Sequence, residues 1–151
     1  MILRMILVCL ALAVPGVAQA ACSVSATGVA FGIYDTTAAA PDDATGTISV
    51  SCTPLSGLAG YTVSLSTGSS GSYTARRMAS GGSALSYNLY TDAARTQVWG
   101  NGSGGTDTVG SFILLAFFGG FGTHQVYGRI PARQAADPGS YADTIIVTVT
   151  Y

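Results

Sequence analysis

The sequence predicts an all-β chain, an antiparallel β-sandwich, on three observations. Short runs of alternating apolar and polar residues recur along it, Gly, Ser and Pro separate those runs, and helix-forming Glu and Lys are absent. The 20 Gly, with abundant Thr, Ser, Ala, Tyr and Val, suit short strands joined by tight turns. No internal repeat or linker divides the chain, and its length is one domain's worth.

Residues 1–20 read as a secretory leader that precedes a domain over 21–151. Arg4 supplies the positive start, Met5 to Val14 the apolar stretch, and Ala18-Gln19-Ala20 the small-residue cleavage site. The stretch is too short for a membrane span, so no span is expected in the mature chain. Cleavage there removes Cys9 and leaves Cys22 and Cys52. An exported chain with two cysteines predicts one disulfide, which would stabilise the fold by about 3.6 kcal/mol through loop closure. A two-thiol metal site would lack further ligands, because His124 is the only histidine.

The elements follow in order. Cys22 to Phe31 begins the first strand, with Val24, Val29 and Phe31 apolar. Residues 38–43 read as a loop, and Gly46 to Thr53 then sets Ile48, Val50 and Cys52 against Thr47, Ser49 and Ser51. Cys52 therefore faces the core, where Cys22 reaches it only if the two strands are neighbours. Tyr61, Val63 and Leu65 mark the next strand, and Gly68 to Ser72 a turn. Leu85, Tyr87 and Leu89 mark another, Thr96 to Trp99 a short one, and Gly100 to Gly105 a glycine-rich turn. Phe112 to Phe118 and Gln125 to Ile130 follow. The end of the chain places Ile145, Val147, Val149 and Tyr151 on one face and Thr144, Thr148 and Thr150 on the other; only Ile146 breaks the alternation. No turn or polar tail follows that strand, so its edge is either covered internally or kept for a partner.

Composition excludes several functions. There are six Arg, one of them in the leader, against seven Asp, and so no electrostatic footprint for nucleic acid or anionic membrane. Gly100, Gly102 and Gly105 match the dinucleotide spacing G-x-G-x-x-G, but Thr106-Asp107-Thr108-Val109 does not open a helix; Asn101-Gly102 reads as a hairpin turn with positive φ at both residues. Asn101-Gly102-Ser103 also matches the glycosylation sequon. His124 has no nucleophile to serve and reads as structural or surface. Asp35, Asp42 and Asp43 lack regular cation-ligand spacing and read as solvated loop. No enzyme, cofactor or metal centre is expected. The seven apolar residues from Phe112 to Phe118 fit either a strand covered on both faces or an exposed contact patch centred on Ile113, Leu115 and Phe117.

Several blocks then fall in one order: Cys22-x-Val24, Phe31-Gly32-x-Tyr34-Asp35, Gly46-x-Ile48-x-Val50-x-Cys52, Arg77-Met78, Leu85-x-Tyr87-Asn88-Leu89-Tyr90-Thr91-Asp92 and Val98-Trp99-Gly100. Val126-Tyr127-Gly128-Arg129-Ile130-Pro131, Gln134, Gly139-Ser140-Tyr141-x-Asp143-Thr144 and Val147 to Tyr151 continue the series. Together they closely resemble the spore coat protein U domain family, which includes subunits of Csu-type archaic chaperone-usher pili.

The resemblance implies an immunoglobulin-like sandwich that lacks its last strand, with Cys22 and Cys52 at the family disulfide. It makes Ile145, Val147, Val149 and Tyr151 the border of an acceptor groove. The implied partners are a periplasmic pilus chaperone, an outer-membrane usher and a neighbouring subunit that donates a β-strand. The implied location is the cell surface, reached through the periplasm.

Cleavage after Ala20 leaves only Ala21 before Cys22, too little for a donor segment, so the subunit is expected to accept a strand without giving one, at a tip or terminal position. Two other expectations stand beside this: a spore-coat or matrix protein with a self-completed sandwich, and a tip adhesin that binds apolar surfaces or sugar.

Overall fold

The computed structural model describes residues 22–53, 59–113 and 120–151. Residues 1–20, read above as a leader, lie outside them, as do Leu115 and Phe117, and of Ile113 only its backbone pairing is described. Among the described residues eight strands form two antiparallel sheets: β1 (Cys22–Thr27), β2 (Asp42–Cys52), β3 (Ala59–Leu65), β4 (Arg76–Ser80), β5 (Ser83–Tyr90), β6 (Val109–Ile113), β7 (Gly120–Ile130) and β8 (Val147–Thr150). The larger sheet runs β1-β2-β7-β5-β4 and the smaller β6-β3-β8. No helix is long and apolar enough to cross a membrane among the described residues.

Alternation sends one face of each sheet inward. Ile48, Val50 and Cys52 from β2, Tyr61, Val63 and Leu65 from β3, Leu85, Tyr87 and Leu89 from β5, and Val126 and Ile130 from β7 are all buried. Trp99 fills the centre with no exposed surface, and its indole Nε1 donates to Val63 O at 3.0 Å, which ties the β5–β6 connection to the smaller sheet. Cys22 lies opposite Cys52 in the β1–β2 register, and the two form the expected disulfide.

Several element bounds differ from the sequence reading, for physical reasons. Asp42 and Asp43 open β2 instead of lying in a loop, because their strand continues against Ile130 and Arg129 of β7. Cross-strand charge makes this tolerable: the Asp43 carboxylate accepts from Arg129 Nε at 2.7 Å and Nη2 at 2.8 Å, and Arg95 Nε lies 3.2 Å away. The strand β4 carries no apolar alternation, yet it forms because Arg76 turns inward with Met78. Thr96 to Trp99 makes no strand of its own, only bridges from Val98 to Tyr90 and from Trp99 to Asp107. Among residues 101 and 102, positive φ occurs at Gly102 alone; Asn101 satisfies the turn instead by accepting from the Ser103 amide.

The first strand leaves its ladder after Thr27, and the chain crosses the inner face of the larger sheet. Glycine makes that crossing possible at position 128, where a Cβ would come 2.6 Å from Val29 Cγ1 and 2.7 Å from Phe31 Cζ. The last strand is likewise shorter than its pattern, since only Val147 to Thr150 pair with β3.

Candidate functional site

Where the two sheets part, an open apolar cavity of about 1090 Å³ enters the sandwich. Its floor is the core itself, with Ile48, Leu65, Met78, Leu85, Leu89 and Val126 reaching it from five strands. One wall is the end of β1 and the segment that follows it, from Ala26 to Tyr34. The other is the segment that leads into β8, from Ala136 to Ile145. At the lip, Ile33 is 99% exposed beside Gly32, whose φ of +76° turns the chain outward.

Of the four terminal-strand residues, Ile145 and Val147 line the cavity. Val149 is half-buried against the core, and Tyr151 is exposed. Ile146 points outward at 65% exposure, as its break in the alternation requires. On its inner side β8 pairs with β3, and its other edge pairs with no strand among the described residues.

Side chains hold both walls. The Tyr34 hydroxyl donates to Pro131 O at 2.7 Å and accepts from the Gln134 amide at 2.9 Å. The Gln134 carboxamide then accepts from Ser86 N at 2.9 Å and donates to Ser86 O at 2.8 Å, so it acts on β5 as a short piece of strand would. On the second wall, Ala142 exchanges two backbone bonds with Ala79 of β4, and Ile146 does the same with Ser66 through one backbone and one hydroxyl contact.

Asp143 is the pivot of that wall. It accepts from the Tyr87 hydroxyl at 2.7 Å, from Ser69 N at 3.0 Å and from Thr144 N at 2.9 Å. Burial pushes its carboxyl up, but these donors outweigh burial and hold it below the usual carboxylate range. Burial and the Asp143 contact together push the Tyr87 phenol well above its ordinary value.

Behind the cavity sits Arg76, which has no exposed surface and was not singled out by sequence patterning. Its guanidinium donates to Ser66 O at 2.7 Å through Nη2 and at 3.2 Å through Nε, to Trp99 O at 2.7 Å, and to Asn88 Oδ1 at 2.7 Å. All of these acceptors are neutral, and burial lowers its pKa. The signal was an Arg76-Arg77 pair in a charge-poor chain, where only the strand register tells which arginine turns inward.

The remaining sequence candidates lie elsewhere. His124 Nε2 sits 2.9 Å from the Tyr61 hydroxyl with the rings edge to face, and burial lowers its pKa, which favours the neutral ring. Asp35 accepts from the Thr37 hydroxyl and amide and shapes a turn. Among the described residues no three His, Cys, Asp or Glu side chains converge to hold a metal. The glycine-rich turn runs through Thr106 and Asp107 into β6, where a phosphate loop would need a helix.

Comparison with known proteins bears on this architecture. A family model, Spore Coat Protein U domain, matches residues 9–148. Protein U of Myxococcus xanthus is 36% identical over 113 residues, which cover 71% of this chain and 59% of that protein. Among solved structures, a chain of the chaperone–tip adhesion subunit pre-assembly complex from the archaic chaperone-usher Csu pili of Acinetobacter baumannii superposes with a TM-score of 0.60. It shares 22% identity, with 88% of this chain and 40% of that one covered. The chain thus spans less than two thirds of the length of each of these relatives.

Proposed function

The chain belongs to the spore coat protein U domain family, and from that premise we propose that it is a structural, non-catalytic subunit of a surface fibre whose sandwich is completed by a β-strand from another chain. One observation carries the reading: an apolar cavity runs into the core beside β8, whose outer edge is unpaired among the described residues. A strand laid there would bond to the main chain of β8 and bury alternate side chains in the cavity. The likeness in fold to a chain crystallised in a chaperone–subunit complex supports a periplasmic chaperone as first occupant and a neighbouring subunit as its successor, with an outer-membrane usher between.

The test is to produce the exported domain alone and with an alternating apolar strand fused after Tyr151. The fused strand should raise the urea midpoint and sharpen the transition, and Val147→Ser should reduce that gain. Equal midpoints and equal cooperativity with and without the strand would sink the reading. The further step, that the subunit accepts without donating, rests on cleavage after Ala20. N-terminal sequencing of the secreted protein tests it, and a start well upstream of Cys22 overturns it.

A coat or matrix protein that needs no donor is the second reading. The spore-coat description of the matching family favours it, as does the bridge by which Ala142 covers part of the β4 edge. It requires the isolated domain to be a stable monomer. Of the apolar patch in the adhesin reading, Leu115 and Phe117 lie outside the described residues.

A further inference from the structure

We propose that Asn101-Gly102 is a site of spontaneous deamidation that the folded turn itself promotes. Three features of the turn meet the needs of the reaction. The electrophile is polarised: Asn101 Oδ1 accepts from the Ser103 amide at 3.0 Å and from the Ser103 hydroxyl at 2.6 Å. These donors face the oxygen on which negative charge develops when its carbon is attacked. The nucleophile is free: the Gly102 amide donates to no acceptor among the described residues, and without a side chain it meets little hindrance. The leaving group is free as well, since Asn101 is exposed and its Nδ2 bonds to nothing described.

Gly102 N attacks Asn101 Cγ and loses its proton to water. The tetrahedral oxyanion collapses with expulsion of ammonia and closes a succinimide. Water then opens either carbonyl, leaving aspartate or isoaspartate at position 101. The net change is one amide plus one water to one carboxylic acid plus one ammonia, with no change of oxidation state.

The other asparagine shares the polarised oxygen, through Arg76, but lacks the other two features. Asn88 is buried away from water, and the following Leu89 amide, which would have to attack, already donates to Asn88 Oδ1. Position 101 also matters for the core. Gly100 accepts from Leu65 N and donates to Asp107 O directly after the buried Trp99, so an isoaspartyl residue, with its extra backbone carbon, enters the chain beside a central anchor.

The experiment is to age the exported chain under native conditions and in urea, with peptide mass mapping of the amide-to-acid gain and isoaspartyl methyltransferase labelling. Asn101 is expected to convert at least tenfold faster than Asn88, and faster in the native chain than in the unfolded one. Ser103→Ala, with its fold checked by circular dichroism, should slow native conversion about threefold to tenfold through loss of one donor. A native rate at or below the unfolded rate, or a Ser103→Ala rate equal to or above that of the parent, overturns the proposal.

Discussion

The β2–β7 ladder and the two cavity walls are held by different means. In the ladder, two strands of 11 residues pair from Asp42 opposite Ile130 to Cys52 opposite Gly120, so main-chain hydrogen bonds form without regard to side-chain identity. Along the walls, backbone pairing shrinks to a few contacts, and Tyr34, Gln134, Asp143 and Ser66 reach across to satisfy main-chain groups one at a time. A surface that awaits a strand has no ladder to use, so specific side chains must fix its walls. Substitution should therefore be felt sharply behind and along the cavity and weakly on the outward face of the ladder.

Arg76→Ala is the strongest way to break the contrast. It orphans Ser66 O and Trp99 O and removes one of the two donors to Asn88 Oδ1, and orphaned acceptors cost about 1–3 kcal/mol each, so a loss of about 4 kcal/mol is expected in urea unfolding. Arg77→Ala, one position along and exposed, should stay within about 0.5 kcal/mol. Equal effects for the two would remove Arg76 as a wall support.

Replacing Cys22 and Cys52 together by Ser probes the opposite region. Loss of the cross-link should cost about 3.6 kcal/mol of stability. Because neither cysteine lines the cavity, affinity for an added strand should change little once the protein is folded. A large drop in strand affinity would show that the two regions are not separable.

Asp143→Asn has a smaller expected effect than the loss of Arg76 or of the disulfide, about 1 kcal/mol at neutral pH. Its pH dependence sharpens the comparison. The folded carboxyl titrates below its ordinary value of 3.8, so its contribution is complete above that value and is lost as pH falls through the lower folded one. The stability gap between parent and variant should thus hold steady from neutral pH to about 4 and close below it. Asp43, held low first by its bond to Arg129, loses stability in the same range but does so in both proteins, so it cancels from the gap. A gap unchanged in strong acid would assign the effect to packing instead of charge.

Much of the larger sheet was legible because its strands bury one face only. Ile48, Val50 and Cys52, and Leu85, Tyr87 and Leu89, write the period of two directly into the sequence. β4 was not legible, because Arg76 looks solvent-seeking until the acceptors that pay for its burial are known. Asp43 misled for a related reason, since the cations that let its carboxylate sit in a strand lie far off in sequence at Arg95 and Arg129. At the terminal strand, alternation was read over Tyr141 to Tyr151, yet pairing with β3 covers only Val147 to Thr150.

By itself the sequence determined the all-β class and the inward faces of its central strands, Cys52 among them, because these depend on local periodicity and on composition. Tertiary structure alone decided which arginine is buried, how far each strand runs and where the sandwich stays open. Each of those outcomes depends on hydrogen-bond partners and apolar surfaces that distant segments bring together, and no local pattern encodes them.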